Sequence, residues 1–118
     1  MLFRFRNFQV YKDARVFRKE IYELTEKFPK KELFNITQQI KRAANSIMLN
    51  IAEGSNRLSD LDFGRFLNNS LTSLEEVVAC LDIALDEKYI TTEKHKEYLA
   101  KAENLGKQLI AFCKRLRT

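Results

Sequence analysis

Hydrophobic residues recur at every third or fourth position along most of the chain, which is the period of an amphipathic α-helix. Four such segments are separated by turn and cap residues. The first segment is bounded by Pro29, because the residue before a proline is disfavoured in a helix. The pattern therefore predicts a first helix that ends near Lys27 or Phe28. Its apolar seam consists of Val10, Ala14, Phe17, Ile21, Leu24 and Phe28.

The second predicted helix runs from about Glu32 to Glu53. Gly54 follows it and fits the left-handed conformation that commonly ends a helix. Its apolar face is formed by Leu33, Ile36, Ile40, Ala43, Ile47 and Ile51. A polar stripe lies beside this face, because a rotation of about 100° per residue brings five polar side chains into one sector. The stripe consists of Gln39, Arg42, Ser46, Asn50 and Glu53.

Cap residues mark the starts of the last two helices. Ser59 is suited to cap a third helix that ends near Glu87, and Thr91 or Thr92 is suited to cap the fourth. The third seam is Phe63, Leu67, Ser70, Leu74, Val77, Leu81 and Ala84, and the fourth is Tyr98 or Leu99, then Ala102, Leu105, Leu109, Phe112 and Leu116.

Short connections make neighbouring helices antiparallel, and four such helices close around one core. Residues 10–118 are therefore predicted to form a single domain, an all-α, antiparallel up-down-up-down four-helix bundle. Residues 1–9 alternate between aromatic and basic side chains, which predicts an extended N-terminal arm.

The surroundings of the polar stripe indicate that it is covered. Between Leu33 and Ala52 the only charged residues are Lys41 and Arg42, and Leu49 lies outside the main apolar face. A helix with so little charge on any side is usually covered on all sides, most simply by a second copy of the chain.

Two interpretations of the stripe stay open. The favoured one is a hydrogen-bond network between helices or subunits, and the other is a direct ligand site. In the first case Glu53 is expected to accept hydrogen bonds from Arg42, Arg57 or backbone amides.

Composition narrows the classes of function. Three glycines and one proline leave no room for a glycine-rich phosphate loop. Cys80, Cys113 and His95 lack the spacing of a zinc site, so the cysteines are interpreted as packing thiols. No catalytic arrangement of side chains is found, and neither an enzyme nor a cofactor is predicted.

No apolar run is long enough to cross a membrane and no secretion signal is evident, which predicts a cytoplasmic protein without a membrane partner.

The net charge of +5 is unevenly distributed. Residues 1–31 hold nine Lys and Arg against four Asp and Glu, residues 91–118 hold seven against three, and residues 59–90 hold two against seven. An antiparallel bundle brings the two basic segments to the same end, where they predict a phosphate-binding patch without sequence preference. The alternative is that these charges complement helix dipoles and raise solubility. The predicted contacts are Arg4, Arg6, Lys12, Arg15, Lys114, Arg115 and Arg117.

Three motifs resemble the 23S rRNA intervening-sequence proteins. They are Phe28-Pro29 followed by an acidic residue, Q-x-x-R-A-A-x-S-I-x-x-N-I-A-E-G from Gln39 to Gly54, and F-x-x-F-L…S-L-x-E from Phe63 to Glu75. The resemblance covers nearly the whole chain and implies a four-helix bundle that assembles as a ring-like homo-oligomer, commonly a pentamer.

The resemblance also bears on partners. Related bundles are basic accessory proteins of diversity-generating retroelements that bind nucleic acid and a reverse transcriptase. The resemblance therefore implies RNA or another nucleic acid as a partner, with a protein–protein scaffold as the alternative. The strongly acidic third helix departs from this picture, and we expect any nucleic-acid surface to avoid it.

Overall fold

A computed structural model describes residues 2–116 of the chain. The described residues form helices and turns and contain no β-strand, which confirms the all-α prediction. The four α-helices are α1 (Gln9–Thr25), α2 (Ile36–Ser55), α3 (Asp60–Asp86) and α4 (Thr92–Leu116), and two short 3-10 turns cover Arg4–Asn7 and Lys30–Glu32.

Contacts at the two ends show that neighbouring helices are antiparallel. The Phe112 ring near the end of α4 lies 5.2 Å from both Phe8, beside the start of α1, and Phe63, near the start of α3. We call this the aromatic end of the bundle. At the opposite end the hydroxyl of Tyr89 donates to Glu32 at 2.5 Å and joins the α3–α4 connection to the α1–α2 connection. The up-down-up-down prediction is confirmed, and the bundle measures 44 × 23 × 20 Å.

The predicted seams form the core. Ser70 in the third seam is fully buried, and its hydroxyl donates to the carbonyl of Ile47 at 2.8 Å, so the polar group is satisfied. Cys80 is buried in the same core, and burial, with a smaller contribution from Glu76, raises the pKa of its thiol to about 11. Both cysteines pack on the core, as predicted.

Several predicted boundaries shift by a few residues. α1 ends at Thr25, although Phe28 is still buried. α2 begins at Ile36 and not near Glu32, because Glu32 lies in a 3-10 turn where its carboxylate binds the side chains of Tyr89 and Asn35. Leu33, which was predicted to lie on the apolar face, is 48% exposed.

The N-caps of α3 and α4 form at residues that the sequence predicted as caps. The Ser59 hydroxyl accepts from the amide of Asp62 at 3.1 Å, and Thr91, not Thr92, accepts from the amide of Lys94 at 3.1 Å. α3 stops at Asp86, and Lys88 then adopts a left-handed φ of 62°.

The predicted role of Gly54 was wrong. α2 continues through Gly54 to Ser55, and no described glycine has a positive φ. A Cβ added at Gly54 would lie 2.6 Å from Cβ of Phe66 and 2.9 Å from Cδ1 of Phe63. Gly54 is therefore required for the close approach of α3 and not for a helix stop.

The extended arm predicted for residues 1–9 was also wrong in its conformation. Arg4–Asn7 form a 3-10 turn, and α1 begins at Gln9. The turn is held by tertiary contacts, because Arg4 donates to the carbonyl of Ser55 and the Phe5 ring packs edge-on against Tyr11 at 4.9 Å.

We expect Gly54→Ala to lower the free energy of unfolding by about 1–3 kcal/mol, because its methyl group overpacks the contact with α3. Gly64→Ala is the matched control. Nothing lies within 4 Å of a Cβ at Gly64 inside α3, so this change should stabilise the fold by about 0.5–1 kcal/mol. Urea unfolding measures the change in the free energy of unfolding of each variant, and equal changes at the two sites would contradict the assigned role of Gly54.

We expect the bond between Tyr89 and Glu32 to make stability depend on pH. Hydrogen bonds from Tyr89 and Asn35 lower the pKa of the Glu32 carboxyl, so its contribution is present above the pKa of the unfolded chain and is lost as pH falls through the lowered value. The bond to Glu32 also raises the pKa of Tyr89 to about 12, so the tyrosine contribution is lost only as pH rises through that value.

Tyr89→Phe should therefore lower Tm at neutral pH, and its difference from the original protein should shrink below about pH 4. Melting curves followed by circular dichroism over this range measure the effect. Tyr11→Phe is the control, because the Tyr11 hydroxyl bonds to none of residues 2–116 and its effect should not change with pH. A Tyr89→Phe difference that stays constant down to low pH would contradict the prediction.

Candidate nucleic-acid interface

The Arg4 side chain folds back onto the bundle and is hydrogen-bonded to the end of α2. Its Nη2 and Nε donate to the carbonyl of Ser55 at 2.9 and 3.2 Å. Its guanidinium also lies 5.7 Å from the centre of the Phe8 ring and 5.6 Å from that of Phe63. These bonds satisfy a carbonyl that a helix end leaves without an intrahelical partner. Arg117, the last of the predicted phosphate contacts, lies outside the described residues.

The other C-terminal cations lie at the aromatic end, but carboxylates share that end. Lys114 is exposed on α4 and lines a groove between α3 and α4 that also contains Asp60. Arg115 lies 5.0 Å from the centre of the Phe112 ring. Lys12 is exposed on α1. The predicted meeting of the two basic segments is confirmed, whereas a purely basic end is not found.

A denser group of cations lies on the flank formed by α1 and α2. Arg6 and Arg15, both predicted phosphate contacts, come together here with Arg18 and Lys19, which were not among the predicted contacts. The groove between them has a volume of about 590 Å³, and no carboxylate lines it among residues 2–116. We call it the cationic groove; it is lined by Arg6, Tyr11, Arg15, Arg18, Lys19 and Met48.

Helical spacing explains how α1 builds one wall of this groove. Tyr11, Arg15 and Arg18 are separated by four and then three residues, so they follow one another along a single face of the helix. This spacing was readable in the sequence and could have identified Arg18. The contribution of Met48 could not be read there, because it depends on how α2 packs beside α1.

Arg18 is held in place by the neighbouring helix. Its Nε donates to Oδ1 of Asn45 at 2.7 Å, and Nδ2 of Asn45 donates to the hydroxyl of Tyr22 at 2.9 Å. The guanidinium lies over the Tyr22 ring at 4.1 Å, and the ammonium of Lys41 lies 4.9 Å from the same ring. Two cations therefore share one aromatic ring.

Part of the polar stripe on α2 is an internal network. The Ser46 hydroxyl accepts from Ser73 of α3 at 2.8 Å and from Nδ2 of Asn50 at 3.0 Å. Asn50 also donates to the backbone carbonyl of Ser46 at 2.9 Å. These contacts are of the kind that the structural interpretation of the stripe predicted, a network between helices.

The rest of the stripe faces outward. Gln39, Arg42 and Glu53 are exposed, and their side chains form no hydrogen bond or ion pair with residues 2–116. Leu49 is 63% exposed beside them. The bonds expected at Glu53 are therefore not formed within the described chain, and Arg57 instead lies 4.4 Å from the centre of the Phe66 ring.

Other chemistry is sparse in the described part of the chain. His95 contacts Asp82 at 2.8 Å and links α4 to α3. No group of three or more His, Cys, Asp or Glu within residues 2–116 is arranged to hold a metal ion. None of the helices in this range combines the length and the apolar character needed to span a membrane.

Fold and surface together define a small antiparallel four-helix-bundle protein with one cationic flank. The family model of the 23S rRNA-intervening sequence protein matches residues 6–111, so the chain belongs to this family. This finding confirms the resemblance seen in the sequence motifs.

A solved structure supports the same assignment. It is that of a protein with unknown function from the S23 ribosomal protein family of Bacteroides thetaiotaomicron, which is 27% identical and superposes with a TM-score of 0.79. The comparison covers 89% of this chain and 98% of that chain. No curated protein matches the chain.

Proposed function

We propose that this chain is a non-enzymatic, self-associating protein that binds RNA or another nucleic acid through its cationic surface. The observation that carries the proposal is the convergence of Arg6, Arg15, Arg18 and Lys19 on one groove without a lining carboxylate among residues 2–116. Cations that only serve solubility are usually interspersed with acidic groups, as they are at the aromatic end of this bundle.

The distribution of charge between helices supports a defined binding face. α3 carries six carboxylates and one arginine, whereas the groove belongs to α1 and its junction with α2. α1 packs beside α2 and α4. A polyanion is therefore attracted to the α1–α2 flank, with Lys114 and Arg115 as additional contacts at the aromatic end.

Self-association is supported by the outward side of α2. Leu49 is 63% exposed on a helix that carries only three charged residues, Lys41, Arg42 and Glu53. A second copy would cover this apolar surface and bring partners to Gln39, Arg42 and Glu53. We propose a closed homo-oligomer, with five subunits as the form that the family resemblance implies. The proposal locates the protein in the cytoplasm, where Cys80 and Cys113 remain reduced.

The alternative function is a protein–protein scaffold, and one surface favours it. A groove of about 530 Å³ runs between α3 and α4, on the opposite side of the bundle from the cationic groove. Its wall is mostly apolar, and Ile110 within it is 44% exposed. An amphipathic helix of another protein is the kind of partner that such a groove accepts.

We expect the protein to retard structured RNA in a gel at low salt, with an affinity that falls steeply as salt increases. Removing two phosphate contacts with Arg15→Ala and Lys19→Ala should weaken binding and reduce the slope of log K against log salt by roughly 1.4–1.8. The matched control is Lys96→Ala with Lys107→Ala on α4, which removes the same charge from another face and should change the slope much less.

Failure to retard RNA even at low salt would contradict the nucleic-acid function. A protein recovered by pull-down after nuclease treatment, together with that failure, would favour the scaffold.

We expect light scattering to give a mass that is a multiple of 13.9 kDa, the mass of one chain. Leu49→Asp should shift the mass toward that of one chain, because it buries a charge in the proposed contact. Val16→Asp places the same charge at a 58% exposed apolar position on α1 and should leave the mass unchanged. A mass of 13.9 kDa for the unaltered protein would contradict self-association through α2.

A further inference from the structure

We propose that the cationic groove selects single-stranded over double-stranded nucleic acid, with an unpaired base stacked on the guanidinium plane of Arg18 and the flanking phosphates on Arg6, Arg15 and Lys19. This inference rests on the proposed nucleic-acid-binding function and adds the class of ligand that the groove takes. It follows from three features of the groove: a fixed cationic plane, apolar surfaces beside it, and cations around it.

The fixed plane is Arg18. Its Nε is bound to Asn45 at 2.7 Å, and the Tyr22 ring lies against one side of the guanidinium at 4.1 Å. Asn45 is itself fixed by its bond to the Tyr22 hydroxyl at 2.9 Å. The Arg18 side chain is therefore already ordered in the free protein, and binding a ligand costs less side-chain conformational entropy. Arg18 lines the cationic groove and Tyr22 does not. In the proposed complex the base stacks on the side of the guanidinium that faces away from Tyr22.

Apolar surfaces accompany this plane. Tyr11 and Met48 line the same groove, and the Tyr11 ring is fixed by its edge-on contact with Phe5 at 4.9 Å. A groove that bound only phosphate would need cations and no such surfaces. An aromatic ring, a thioether and a stacked guanidinium instead match the apolar faces of nucleobases.

These surfaces are useful only if the bases of the ligand are free. In a duplex each base face is covered by its neighbours in the stack, so a duplex offers no base face to the Arg18 guanidinium. An unpaired strand offers phosphates and base faces together. The cations then supply affinity for both forms, and Arg18 with its neighbours supplies the preference for single strands.

The experiment compares three labelled probes of equal length by fluorescence anisotropy: a single-stranded oligoadenylate, an RNA duplex, and an abasic strand that carries phosphates without bases. We expect the unaltered protein to bind the single strand about tenfold more tightly than the abasic strand. Arg18→Lys keeps the charge but removes the plane and the Nε donor. It should therefore weaken binding of the single strand about five- to tenfold and leave the salt slope and the abasic affinity nearly unchanged.

Asn45→Ala tests the positioning of Arg18 without changing any charge, and it should reproduce part of the Arg18→Lys loss on the single strand alone. Lys96→Ala on α4 is the control for a cation outside the groove. Circular dichroism of each variant establishes that the bundle is folded.

The possible outcomes separate this inference from the proposed function. Equal affinity for all three probes, or an Arg18→Lys loss of the same size on the abasic and base-bearing strands, would overturn the single-strand inference and leave nucleic-acid binding standing. Failure of the unaltered protein to bind any probe at low salt would overturn both.

Discussion

The close packing of α2 against α3 at Gly54 is the contact on which the arrangement of the site depends. The absence of a side chain at Gly54 lets the helix reach Phe63 and Phe66, whose atoms would lie within 3 Å of an added Cβ. One residue later the carbonyl of Ser55 receives the guanidinium of Arg4. The position of the N-terminal turn, and with it of Arg6 in the cationic groove, therefore follows from how α2 ends against α3.

The motif from Gln39 to Gly54 holds α2 to both of its neighbours. Asn45 reaches α1 and fixes Arg18, whereas Ser46 reaches Ser73 of α3. Hydrogen bonds between helices are directional, so they fix the register of a bundle more sharply than apolar contacts do. The motif therefore serves to pack α2 against its neighbours, and through Asn45 it also holds Arg18 of the cationic groove in place.

Much of the fold was readable from periodicity. The seam positions of α1 and α3 are buried as predicted, and the cap at Ser59 forms as its residue type indicates, because both depend on residues close together in the chain. The predictions that the structure contradicts concern residues whose conformation depends on long-range contacts. Gly54 has the residue type of a helix stop, but the chain around it continues as a helix because α3 packs there. The N-terminal turn is not the predicted extended arm, and its bond from Arg4 reaches the carbonyl of Ser55, 51 residues away.

The sequence by itself determined four amphipathic helices, their antiparallel order and the segregation of charge between α1 and α3, because local spacing and short connections are sufficient for these properties. Only the tertiary structure decided which cations lie together. Arg6 comes from the N-terminal turn, Arg18 from α1 and its anchor Asn45 from α2, and their assembly depends on the angles and register at which separate helices pack. Side-chain contacts across helix interfaces set those quantities, and no local pattern in the chain encodes them.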